Sequence, residues 1–122
     1  MRINEISEDI HANAIEKGFW EEDNLCKKLL LIVSEVTEAM EADREDRYTE
    51  EHEIQLVNSI EDAEAFVGRF EKRIKDTFED EMADTCIRIF DLCKQKGIDL
   101  EAHILTKHRY NKTRDYLHNK KY

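Results

Sequence analysis

Apolar residues recur along most of the chain at three- and four-residue intervals, the signature of helices that bury one side. Over residues 4–17, Ile6, Ile10, Ala14 and Ile15 share a face; the pattern stops at Gly18, and Phe19-Trp20 begins a loop. Asp23 stands where an N-cap would open a second helix over 23–44, with Leu25, Leu29, Ile32, Val33, Val36 and Met40 as its apolar stripe. Residues 44–58 are polar and show no clear period, which predicts a connection with room for partial order. Ser59-Ile60-Glu61-Asp62 has the form of a capping box, and Ile60, Ala63, Val67, Phe70 and Ile74 repeat at near-heptad spacing, so a third helix is expected over 60–75. Thr77-Phe78-Glu79-Asp80 repeats that start signal. Phe78, Met82, Thr85, Ile89, Leu92 and Cys93 then carry a fourth helix over 78–96, up to Gly97, and Asp99 caps a last one over 99–117.

The chain has no proline and only Gly18, Gly68 and Gly97, too little punctuation for an all-β or loop-rich fold. It also lacks internal repeats, which argues against a solenoid. The pattern predicts an all-α helical bundle in a single domain, residues 1–122, a length that buries about two-thirds of the surface its unfolded chain exposes.

Charge changes this picture. The formal net charge is -10, so the compact state repels itself unless cations or a partner offset the acids, and a divalent metal is one such cation. The distribution is uneven: residues 106–122 hold 6 basic side chains and only Asp115, against 13 basic and 28 acidic side chains before them. Six positive charges on an acidic body are a poor footprint for a nucleic-acid duplex and suit a small phosphate ligand better. No apolar run reaches the roughly 20 residues of a membrane span, and Met1-Arg2-Ile3-Asn4-Glu5 lacks the apolar stretch of a signal peptide. Cys26, Cys86 and Cys93 are odd in number and form no C-x-x-C, which predicts reduced core thiols in a cytoplasmic protein.

Two acid pairs carry the candidate chemistry. Glu35-Val36-Thr37-Glu38 and Glu81-Met82-Ala83-Asp84 each set carboxylates three residues apart on one side of a helix, beside its apolar stripe. If those stripes pack together, four acids form one cluster, and hard divalent cations take oxygen ligands of this kind. With 29 acids in the chain, composition alone yields about seven acid-x-x-acid pairs, so spacing leaves a metal site and a solvated seam evenly matched. What raises these two pairs is their setting near the middle of apolar helices.

On the last predicted helix, Lys107, Asn111 and Arg114 follow an i, i+4, i+7 course with Tyr110 beside them. Such groups fit phosphate oxygens, and they equally fit a solvated face that complements the helix dipole. Trp20 can stack on a base or staple the start of the next helix. Lys28, on the same side as Glu35, can reach the acids or a phosphate, or serve as an ordinary surface lysine. Glu8-Asp9-Ile10-His11 is the only Glu-x-x-His, which sets aside a di-iron bundle, and without a glycine-rich phosphate loop a P-loop nucleotide site is excluded.

Three segments taken in order resemble the MazG-like branch of the all-α NTP pyrophosphohydrolases, over about Phe19 to Tyr122. Ser34-Glu35-Val36-Thr37-Glu38-Ala39-Met40-Glu41-Ala42 is similar to that family's Glu-x-x-Glu helix. Phe78-Glu79-Asp80-Glu81-Met82-Ala83-Asp84-Thr85-Cys86-Ile87-Arg88-Ile89 is similar to its Glu-x-x-Asp helix. Lys107-His108-Arg109-Tyr110-Asn111-Lys112-Thr113-Arg114-Asp115-Tyr116 resembles the closing segment of one subgroup, with Asp115 where that subgroup carries proline.

The resemblance implies a four-helix core plus an inserted helix, residues 44–76 being an insertion between the two acid-motif helices. It also implies a homodimer or homotetramer, to which Leu30 and Leu31, off the main stripe of their helix, would contribute. Glu35, Glu38, Glu81 and Asp84 become ligands of Mg2+, with Mn2+ as a substitute. Cleavage is expected between the α- and β-phosphates of a nucleoside triphosphate, with Glu38 as the provisional base for the attacking water. Lys107, Asn111 and Arg114 would meet phosphates and Trp20 would contact the base; the helix pattern adds Lys28 and Tyr110 as substrate contacts. Two rivals are a non-catalytic helical interaction module and a related phosphohydrolase acting on phosphoribosyl-ATP or a nucleoside diphosphate.

Overall fold

The computed structural model describes residues 2–121 and is all-α: α1 (Ile3–Glu16), α2 (Leu25–Arg44), α3 (Glu51–Asn58), α4 (Ala63–Arg73), α5 (Phe78–Gln95) and α6 (Leu100–Lys112). A short 3₁₀ turn, Tyr116–Asn119, follows α6, and no strand occurs among the described residues. None of the helices is long and apolar enough to cross a membrane. The chain forms two compact units, one of Asp23–Ile89 and one of the chain before Asp23 together with that from Phe90 onward.

In the unit Asp23–Ile89, α2 is capped by Asn24 rather than by the expected Asp23: the Asn24 side chain accepts the Lys27 N–H at 3.1 Å, filling one of the donors a helix start leaves open. Its inward side is Glu35, Ala39 and Ala42, whose small side chains permit close approach. The stripe Leu25, Leu29, Val33, Val36 and Met40 is exposed, because it lies about 110° around the helix from those residues at 100° per residue. It was expected in the core.

The polar connection contains α3, a helix the apolar pattern did not reveal. Its two inward positions are Val57 and the charged Glu53. Arg69 of α4 grips Glu53 with a two-toothed fork, Nε to Oε2 at 3.1 Å and a terminal nitrogen to Oε1 at 2.7 Å. That contact, first among the causes, holds the Glu53 carboxyl below its ordinary range. The start of α4 is also corrected: Asp62 accepts the Ala65 N–H at 2.9 Å, while Ser59 closes α3 and donates its hydroxyl to the Leu56 carbonyl. Of the predicted 60–75 stripe, Ile74 is buried and Val67 exposed.

The start of α5 is as predicted. Thr77 Oγ1 accepts the Asp80 N–H at 3.3 Å, and the Asp80 carboxylate accepts the Asp76 N–H at 2.9 Å. Residues 47–49 dock on it, with Phe78 N–H donating to the Arg47 carbonyl, Tyr48 stacked on Phe78 at 5.2 Å and Thr49 N–H donating to Glu79 Oε2. The segment after α2 therefore fixes the turn of helix that carries Glu81.

In the other unit α1 and α6 are neighbours, tied by Ile3 N–H to Glu101 and by the Asn4 amide to Asp99. Asp99 caps α6 as expected, accepting the Ala102 N–H at 3.0 Å. The helix stops at Lys112 rather than near residue 117, because the Thr113 hydroxyl turns back to the Tyr110 carbonyl at 2.7 Å. The thiols are not core residues either: Cys26 and Cys86 are exposed and Cys93 is half-buried.

Candidate metal centre

Glu35 lies midway along α2 and Glu81 in the first turn of α5, and both carboxylates are buried, with relative exposures of 8% and 5%. Glu38, one turn beyond Glu35, remains exposed. One oxygen from each of Glu35, Glu38 and Glu81 lies within 4.8 Å of the others. Three of the four expected ligands thus converge. Asp84 falls outside that trio and sits half-buried one turn along α5.

Three acids this close cannot all keep their charge without a cation. Burial, followed by contact with Glu35 and Glu38, pushes the Glu81 carboxyl up to about 8. Burial also acts upward on Glu35, but the hydrogen bond from Arg88 and those with Glu38 and Glu81 outweigh it and hold its carboxyl below the ordinary range. The Arg88 Nε–H donates to Glu35 Oε1 at 2.9 Å. The two carboxyls titrate as a pair, Glu81 displaced upward and Glu35 downward. Asp84 is raised to about 6, by burial first and then by Asp80 and Glu35, against the opposing charge of Arg88.

Glu81 Oε2 is buried and has no hydrogen-bond partner among the described residues. Buried oxygens of this kind are rare because each forfeits its solvation. The donor set here is carboxylate oxygen alone, the chemistry that hard cations such as magnesium prefer. An ion there would meet the orphaned oxygen and the excess negative charge together.

Arg88 was not singled out in the sequence. Its signal was available, since it follows Asp84 by four residues and so shares its side of α5, but only the folded chain sets it against Glu35.

The remaining expected residues lie elsewhere. Lys28 is half-buried on the same side of α2 as Glu35. Trp20 belongs to the other unit, where its indole N–H donates to both oxygens of Asp91 at 2.9 and 3.0 Å and its ring meets His11 edge-on. In that unit Lys107 and Arg114 both approach the Tyr110 ring, at 4.9 and 5.6 Å from its centroid, and Asn111 keeps a buried Oδ1 without a partner among the described residues. Arg114 reaches Tyr110 from beyond the end of α6, not along a continuous helical stripe.

Comparison with family models, with curated proteins and with solved structures returns no match to this chain.

The raised carboxyls fix a pH dependence. Glu81 is raised from 4.5 to about 8 in the folded chain, so in metal-free protein its stabilising contribution is complete below about 4.5 and is lost as pH rises through about 8. Glu81→Gln removes the titration and keeps the shape. In EDTA the variant is expected to melt several degrees above wild type at pH 8 and to lose that advantage at pH 5, with about 3–6 °C per kcal/mol for a chain of this size. Parallel melting curves at the two pH values would show that Glu81 does not carry the repulsion.

Proposed function

We propose that the protein is a magnesium-dependent nucleoside triphosphate pyrophosphohydrolase, splitting a (d)NTP into the (d)NMP and pyrophosphate as the MazG-like resemblance implies. The observation that carries this reading is the convergence of Glu35, Glu38 and Glu81, from two separate acid motifs, around the partnerless Oε2 of a buried Glu81. Glu35, Glu38, Glu81 and Asp84 would hold the ion, with Mn2+ as a substitute. Magnesium bound there supplies positive charge that polarises phosphate oxygens and lowers the pKa of a coordinated water.

The chain's own residues do the rest. Arg88 keeps Glu35 ionised and oriented. Glu38, exposed at the edge of the cluster, takes the proton of the attacking water. Lys28, on the same side of α2 as Glu35, binds a phosphate oxygen of the substrate.

The experiment is a panel of canonical and modified NTPs and dNTPs, with and without magnesium, with the products identified. Monophosphate plus pyrophosphate is expected only with magnesium, and Glu38→Gln should lower kcat at least about 100-fold if it is the base. Orthophosphate alone would overturn the cleavage position, and turnover confined to phosphoribosyl-ATP or a diphosphate would point to the related phosphohydrolase. No turnover of any of these would favour the helical interaction module.

The proposal includes a homodimer or homotetramer. A second copy on the apolar side of α2 would cover Leu30, Val33 and Met40, which are 67%, 58% and 56% exposed. Val33→Glu touches little within the chain, so it should turn a dimer or tetramer into monomer in light scattering while leaving helix content unchanged. A wild-type protein that scatters as a 14.6 kDa particle would contradict this.

A further inference from the structure

The unit Asp23–Ile89 carries an apolar hollow that the proposed reaction does not use. It lies between α3, α4 and the start of α5, measures about 400 Å³, and has Ile54, Phe70, Ile74 and Ala83 as its apolar walls. Hollows of that size are large enough to hold a ligand or several side chains. Acids edge it: Glu50 and Glu51 at the start of α3, Glu79 and Asp80 at the start of α5. No lysine or arginine lines it. The arginines of the surrounding segments pair with other acids, Arg47 with Glu45, and Arg69 and Arg73 with Glu53, while Glu50 is met only by the His52 ring at 3.3 Å among the described residues.

The reverse arrangement follows α6. Tyr116 is 90% exposed, Leu117 is exposed beside it, and Lys120 and Lys121 come next, neither with an ion pair among the described residues. Leu117, His118 and Asn119 take the left-handed conformation, at φ 51, 50 and 61, which side chains with a Cβ resist. Backbone hydrogen bonds of the turn itself, His118 N–H to the Asp115 carbonyl and Lys120 N–H to the Leu117 carbonyl, and the Asn119 amide on Asp115 at 3.5 Å hold it there. A surface on which these residues could extend would relieve that strain.

We propose that the hollow receives the segment 116–121 of a second copy of this chain, with Tyr116 and Leu117 against its apolar walls and Lys120 and Lys121 against its acids. Charge complementarity carries the choice of occupant, since uncompensated acids edge an apolar hollow and uncompensated lysines follow an exposed apolar pair. Six residues of extended chain reach about 20 Å, so the apolar pair and both lysines can engage hollow and edge together. Exchange of the segment gives every copy one donor and one acceptor. The contact uses neither α2 nor the acid trio, so its failure would leave the proposed reaction and the α2 interface standing.

The test uses two forms of the full chain, an unlabelled donor with Tyr116 replaced by photoreactive p-benzoylphenylalanine and a nitrogen-15-labelled acceptor, mixed in equal amounts, equilibrated and irradiated. Mass spectrometry of the digest is expected to find position 116 joined to labelled peptides that contain Ile54, Phe70 or Ile74. Acceptor carrying Glu50→Lys and Glu51→Lys should give about tenfold less of this product, and donor carrying Lys120→Glu and Lys121→Glu should restore it. These four positions are exposed, so circular dichroism should show the same helix content in every variant. Crosslinks to unlabelled peptides alone would place the segment on its own chain and overturn the proposal. Crosslinks to other regions, no crosslink at all, or a yield indifferent to the charge changes would overturn it as well.

Discussion

Everything in the unit Asp23–Ile89 is arranged around one unfavourable contact, the burial of the Glu35 and Glu81 carboxylates against each other. Two like charges withdrawn from water repel strongly, and Arg88 supplies a single counter-charge to Glu35 alone. Glu81 answers by holding a proton far above its ordinary range, and its second oxygen is left without a donor. Stability by itself would favour apolar residues at both positions. Retaining two buried acids there is consistent with a charge that arrives from outside the chain.

The rest of the unit keeps that contact in place. Ala39 and Ala42 continue the inward side of α2 beyond Glu35. The first turn of α5 cannot slide, because Thr77, Asp80 and Asp76 satisfy its backbone and Tyr48 covers Phe78. The α3–α4 pair is itself clamped by the Glu53–Arg69 fork. Chain between Glu38 and Glu81 therefore acts as a brace on Glu81.

Signals carried within a few residues were legible. The Thr77-x-x-Asp80 start and the Asp99 cap depend only on local backbone donors, and both are found where the spacing puts them. Signals that depend on a distant partner were not. In α3 the inward Glu53 looks like surface until Arg69 pairs with it, and the α2 stripe announces burial without saying whether the cover is the chain's own core or another molecule. The acid cluster was half-legible for the same reason: Glu35, Glu38 and Glu81 were picked from spacing, while Asp84 stands outside the trio and Asp80 was read only as part of a helix start. Where helix ends rest on a hydroxyl folding back, as at Thr113, periodicity overran the helix.

The central claim is that the buried acids await a divalent cation, and linkage between binding and folding tests it most directly. Thermal unfolding at pH 7.5 would be followed in rising MgCl2 and, in parallel, in NaCl at matched ionic strength, since a chain of net charge -10 gains from screening in either salt. A specific site adds stability that grows with the logarithm of free magnesium, reaching about 2.7 kcal/mol at a hundredfold excess over Kd. The account predicts melting temperatures that climb in MgCl2 well above the NaCl series. Coincident series, with no gain beyond screening, would contradict it.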